Sequence, residues 1–342
     1  MEAGTRARHS GATPENGAAD VSIEGGVIGD RIYQITITFF AACIPLLLLV
    51  IGWEIASAAW PALREYGASF LTSSVWDPVN ETYGVAPAIY GTIVTSVIAL
   101  LIATPLALGV AIFLSEFAPM WLRQPVAFLV DLLAAIPSVV YGLWGIVVLL
   151  PLLREHVAPF LTDTLGLANL PLFAGPFYPG NMLAAGLILA IMVLPYISAV
   201  AREILMAVPR SQREAALALG ATKWETTWKV VVPAAAPGIL TGVILAMARA
   251  AGEVAPLMIV GMVKLAPTLP IDLHAPFVHL ERKFMHLGFH IYDVGFQSPN
   301  VDATKPLVFA TALLLILVVT AMNLVAISIR NRLRRRYAGT AV

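Results

Sequence analysis

Arg249 and Glu253 stand four residues apart inside the apolar stretch Ala235 to Met262. A charged side chain at bilayer depth costs about 2.5–3.5 kcal/mol on insertion scales, so such residues face a bundle interior or a water-lined path. At this spacing both lie on one helix face. Two uses fit the pair, and they are compatible. The charges can neutralise each other and fix helix packing. Alternatively, Arg249 presents its planar fork of donors to an oxyanion crossing the membrane, and Glu253 tunes it.

Pro137, Ser138 and Tyr141 form a second polar group, in the apolar stretch Val126 to Leu152. Pro137 removes a backbone donor and disfavours helix at Ile136, which predicts a kink or break. Broken helices at membrane depth line substrate sites when the freed backbone faces a cavity. For Pro137 taken alone, a packing kink is the simpler reading. Asp131, near the start of this stretch, pairs or meets water more readily than it carries protons. His279, His286 and His290 include an i, i+4 pair of a kind that binds metal. Phe277 to His290 also reads as an amphipathic helix at the outer surface, and no metal site is assigned. The spans hold no paired carboxylates and no nucleophile–base set. No Gly-x-x-x-x-Gly-Lys-Ser/Thr loop occurs either, so any ATP that drives this chain is bound by another. No cofactor is expected.

The elements that carry these residues are membrane helices. Of 342 residues, 59% are hydrophobic and 12% charged, against about 25% charged in soluble domains. Net charge is zero, which points to no nucleic-acid partner. The single cysteine, Cys43, excludes an intrachain disulfide. Six spans are expected: about 35–56, 88–114, 126–152, 182–207 (interrupted by Pro195-Tyr196), 235–262 and 306–329. Each is long enough for a hydrocarbon core of about 30 Å. Ala56-Ser57-Ala58 resembles a signal cleavage site, but the run before it is long for a signal peptide, which favours a retained helix. Residues 1–30 read as a disordered tail and 31–87 as the first span with its outer loop. Residues 88–329 form the core of five spans, and 330–342 a basic tail. The tail carries five Arg, and the region after the fourth span carries Arg202, Arg210, Arg213, Lys223 and Lys229. The positive-inside rule puts both on the cytoplasmic side, and both termini with them. The Arg330–Arg336 cluster also suits anionic lipid.

One polar-rich stretch, Arg213 to Pro233, separates the fourth and fifth spans. Glu214 to Leu219 are helix formers, Gly220 suits a left-handed turn, and Thr222 with Glu225 forms a capping box. Pro233 is expected to mark the boundary with the next span. The result is a helix–Gly–helix hairpin shaped to dock in a groove on another protein.

This stretch resembles the "EAA" loop of ABC importer permeases: Glu214-Ala215-Ala216, then Gly220, then Val230, Val232 and Pro233, with every spacing kept. Other blocks resemble the phosphate-specific, Pst-type permeases. They are Ile89-Tyr90-Gly91-Thr92, the run Asp131 to Gly142, Leu194-Pro195-Tyr196-Ile197-Ser198, and Ala248 to Glu253. The likeness covers about residues 60–336. It implies an all-α membrane protein with the six-helix type I ABC importer permease fold and a cytoplasmic coupling helix at 210–233. It implies a phosphate pathway including Arg249, Glu253, Ser138 and Tyr141. Glu214, Ala215, Ala216, Gly220 and Pro233 would couple to a cytoplasmic ATPase. The implied partners are that ATPase, a second homologous permease or a second copy of this chain, and an extracytoplasmic phosphate-binding protein. That family pairs two homologous permeases. Residues 60–230 look more like one of them, while Gly252 to Leu257 and Ile291-Tyr292-Asp293 look more like the other. A related oxyanion and a stand-alone ion-coupled transporter are the alternatives.

Overall fold

The computed structural model describes residues 24–77, 82–160, 180–263, 280, 282–298 and 301–338. The chain divides into two compact units, 1–53 and 54–342. The first unit is described from residue 24, where helix α1 (Glu24–Tyr66) begins. This helix starts earlier than the expected end of the disordered tail at residue 30 and runs through Ala56-Ser57-Ala58. Residues 1–23 lie outside the described part.

Within the second unit, α2 (Ser69–Thr72) and a short antiparallel ribbon, β1 (Trp76–Asp77) with β2 (Thr82–Tyr83), lead into α3 (Ala86–Ile112). A π turn, Phe113–Phe117, ends α3. There follow α4 (Met120–Ala135), α5 (Ser138–Trp144), α6 (Leu150–Leu152) between two π turns, and α7 (Met182–Ala207). After α7 come α8 (Arg210–Ala218), α9 (Lys223–Thr226), α10 (Val232–Gly252), α11 (Ala255–Val260), α12 (Leu287–Phe296) and α13 (Val301–Ala338). Among the described residues six helical stretches are long and apolar enough to cross a membrane.

The centre of the unit is α3 against α7, the most extensive contact among the described elements. Ala99, Ala103 and Ala107 recur every four residues on α3 and are fully buried, facing Met182, Ala185, Leu189 and Val193 of α7. Lipid gives helices no hydrophobic reason to associate, so small side chains that admit close backbone approach do the work. The first N–H groups of α7 are all engaged. Asn181 caps Ala184 N, while Met182 N and Leu183 N donate to the carbonyls of Arg282 and Leu280.

Four expectations need correction. The break expected at Pro137 is present, but the third span does not run over 126–152: α4 ends at an extended Ile136 and Pro137, and the membrane-length stretch is Ser138–Val157. Pro195 does not interrupt the fourth span: α7 is continuous through it, and Pro195 is buried among packed neighbours. Pro233 is not a boundary, since helical structure runs unbroken from Lys223 to Gly252. The π turn Thr227–Val231 just before it widens the helix where the proline ring would otherwise meet the preceding turn.

The fourth correction concerns the segment after the fifth span. Its helix is 287–296, not 277–290, and it packs into the core with Leu287, His290, Asp293 and Val294 buried. Gly91 makes this docking possible, because a Cβ there would stand 1.9 Å from Met285 O. Thr92 Oγ1, which donates to Ala88 O, accepts from Leu287 N at 3.0 Å.

Candidate functional site: two helix breaks meeting at Arg249

Pro137 ends α4, where the Leu133 carbonyl keeps only a long 3.3 Å bond from Ile136 N. Two tyrosine hydroxyls complete this helix end. Tyr141 donates to Leu133 O at 2.6 Å, and Tyr196 of α7 donates to Ala134 O at 3.3 Å. The break is thus a hydrogen-bonded joint between three helices. A buried carbonyl left without a partner costs about 1–3 kcal/mol, so the tyrosines stabilise an otherwise unfavourable shape.

A second break lies in the fifth span. The α10 helix stops at Gly252 and Glu253 is extended, with ψ 133°. Pro256 explains it: its ring would strike the carbonyl of residue 252 in a continuing helix, yet it suits the first turn of α11. Arg249 and Glu253 therefore do not sit mid-helix as expected, but at the end of α10 and in the break itself. The short helices beyond the two breaks pack together. A Cβ on Gly142 of α5 would stand 2.9 Å from the Pro256 Cα, so only glycine admits this approach.

The breaks bring Arg249, Glu253 and Ser138 together. Arg249 Nη2 lies 3.4 Å from Glu253 Oε1, and the Ser138 hydroxyl stands beside the same carboxylate. The guanidinium carbon lies 4.4 Å from the centre of the Tyr196 ring, a cation–π contact worth about 0.5–2 kcal/mol. Glu253 is largely covered, at 16% side-chain exposure, whereas Arg249 keeps 40%. A positive group held from two sides and still open on others can take an anion's oxygens. Tyr141 is buried one step behind, its hydroxyl spent on the α4 carbonyl. Tyr196, absent from the expected site set, is the residue that joins the first break to Arg249. Its sequence signals are an aromatic directly after Pro195 in an apolar span and its place in the Leu194 to Ser198 block. Asp131 is elsewhere, lining a small crevice with Ser198 and Arg202.

The hairpin forms a separate site. Gly220 has φ +86°, and the Thr222–Glu225 capping box is complete. Glu214 and Ala215 are exposed, α8 buries no residue, and Leu219 at the tip is 90% exposed. Pro233 lies downstream in the continuous helical stretch. The remaining expected candidates are the histidines. His286 is fully buried as the N-cap of α12, its Nδ1 accepting from Gly288 N, and burial pushes its pKa down to about 3. His290 is buried beside Thr311, and His279 lies outside the described residues. Among the described residues no group of His, Cys, Asp and Glu is arranged to hold a metal.

The sequence matches the family described as "Binding-protein-dependent transport system inner membrane component" over residues 103–339. The chain belongs to this family. Relatives of this inner membrane component include the "Phosphate transport system permease protein PstC" of Xylella fastidiosa, 42% identical over 244 residues, covering 70% of this chain and 75% of the relative. The protein of the same name from Pasteurella multocida is 42% identical over 228 residues, covering 66% and 71%. A "Probable phosphate transport system permease protein PstC" of Methanocaldococcus jannaschii is 39% identical over 229 residues, again covering 66% and 71%. Among solved structures, a chain of a bacterial alginate ABC transporter in complex with its alginate-bound periplasmic protein superposes with TM-score 0.53 at 19% identity, covering 90% of this inner membrane component and 96% of that chain. A chain of the MetNI methionine ABC transporter in an inward-facing conformation gives TM-score 0.51 at 18% identity, covering 76% and 99%. The shared fold is that of ABC importer permeases.

Proposed function

We propose that this chain is a PstC-type permease subunit of an ATP-driven importer and passes inorganic phosphate across the cytoplasmic membrane. The observation that carries the reading is Arg249, held at the meeting of two helix breaks in a chain 42% identical to phosphate permeases. Arg249 presents donors to phosphate oxygens, Glu253 and Tyr196 hold it in place, and Ser138 with Tyr141 shapes the adjoining break.

A separate cytoplasmic ATPase docks on the hairpin at 210–233, where Glu214, Ala215 and the tip around Gly220 are exposed beside the half-buried Ala216. An exposed leucine such as Leu219, on an element that buries nothing of its own, suits an apolar socket on that partner. A second homologous permease, or a second copy of this chain, closes the pathway. An extracytoplasmic phosphate-binding protein delivers its load to the outer segments 57–87, 154–181 and 263–305. Both termini lie in the cytoplasm, and the Arg330–Arg336 tail meets anionic lipid. ATP closure of the partner moves the hairpin and exchanges outward for inward access as a rigid-body change.

Uptake of labelled phosphate tests this in a strain lacking its own phosphate permease and carrying this chain with its partners. Uptake should appear, compete with arsenate and ignore sulfate. Uptake competed equally by sulfate would move the assignment to another oxyanion.

A further inference from the structure

Arg213 stands in the first turn of α8, one residue before Glu214. Its guanidinium turns away from the exposed hairpin. One nitrogen donates to Val208 O, and Nη2 donates to Leu205 O at 2.7 Å and to Glu116 Oε1 at 2.9 Å. Leu205 and Val208 close α7, and Glu116 lies in the π turn that closes α3. The two charged side chains keep only 18% and 10% exposure. A single cation thus gathers acceptors from the ends of the two helices that make the most extensive contact among the described elements.

The rest of α8 has little else to hold these ends. It buries no residue, and its other neighbours are α9 and the turn Thr227–Val231, which lead into α10. The link from α7 is the extended residue Pro209, whose ring fixes its φ. A push on the hairpin therefore reaches α10 through chain continuity and side-chain contact. It reaches the ends of α3 and α7 by apolar and ring contacts, Trp224 and Lys223 on Phe117 and Val231 among Ile112, Leu205 and Val208. It also reaches them by one polar clasp, the Arg213 guanidinium, which alone among the described residues ties α8 to both ends by hydrogen bonds.

We propose that Arg213 is a positioning residue whose polar clasp makes the ends of α3 and α7 follow α8, where ring and apolar contacts can slide, so that hydrolysis by the docked ATPase and movement of solute stay coupled. This rests on the reading that an ATPase docks on the hairpin.

The test uses the complete transporter in liposomes and reads three quantities: copurifying ATPase, ATP hydrolysis, and solute taken up per ATP. With Arg213→Ala the ATPase should stay bound and hydrolysis continue. Uptake per ATP should fall about 10-fold, inside the range usual for coupling between sites. Glu116→Ala should give a smaller fall, and the double variant should be no worse than Arg213→Ala, as expected of one shared interaction. Arg213→Lys, which keeps the charge, and Glu116→Gln, which keeps the shape, should give intermediate ratios and serve if the alanine variants fail to assemble. A wild-type ratio in these variants, or losses that simply add, would overturn the proposal. So would loss of the bound ATPase from Arg213→Ala, which would make Arg213 part of the docking surface. Failure of the unaltered hairpin to hold any ATPase would instead sink the docking reading beneath it.

Discussion

The Arg249 site and the hairpin are both helix–break–helix units, and they are stabilised in opposite ways. The hairpin closes on local bonds: Gly220 turns the chain, and Thr222 and Glu225 cap each other three residues apart. The Arg249 site closes on distant ones. Tyr196 reaches Ala134, Ser138 reaches Glu253, and Gly142 admits Pro256. A locally closed unit can move as a body without losing its shape. A unit closed by long-range bonds changes shape when the helices around it shift. The first suits a handle, the second a gate.

Variants can break or sharpen this contrast. Arg249→Gln should have the largest effect, lowering uptake on the order of 100-fold as other lost anion donors do, while the complex assembles. Normal uptake of labelled phosphate would remove Arg249 from the pathway. Gly142→Val comes next. Its Cβ would meet the Pro256 backbone, forcing α5 and α11 apart at about 1–3 kcal/mol, read as a lower unfolding temperature together with reduced uptake. Gly220→Val puts a branched side chain at positive φ, which costs about 1–3 kcal/mol. That strain should appear as weaker ATPase copurification with the fold and the Arg249 site intact; unchanged copurification would mean the turn is not what is recognised. Tyr141→Phe should be mildest, removing one hydroxyl and costing about 1 kcal/mol in thermal stability. Ser138→Cys, in a background with Cys43 replaced, asks a different question of the same break. A water-soluble thiol reagent should label it in at least one state of the transport cycle, and full protection in every state would make the break a packing feature.

The same contrast explains what could be read from the sequence. The hairpin was legible because capping and left-handed glycine are local rules, and Glu214 to Glu225 obeys them. The membrane helices were legible because length and hydropathy decide them, and the fourth span fell at 182–207 as expected. Proline was read least well. Pro137 breaks a helix, Pro195 does not, and Pro233 is absorbed by a π turn, because packing around each ring decides the outcome. Pro256 ends α10 from beyond the span's charged pair, so Arg249 and Glu253 were placed mid-helix. Arg213 and Glu116 are far apart in sequence, and no periodicity announces that they meet. Helix α12 reads as a surface helix in the sequence because histidines are polar, whereas His286 and His290 are buried, each with Nδ1 on a cap or a hydroxyl inside the core.

The central claim is that this polypeptide is a gate moved by a neighbour that hydrolyses ATP. Reconstitution tests it most directly: proteoliposomes containing the purified chain alone, and others containing it with its ATPase, a second permease and the binding protein. Phosphate should accumulate only in the second set, only with ATP on the hairpin side, and regardless of any ion gradient. Accumulation by the chain alone, driven by a proton or sodium gradient, would contradict it.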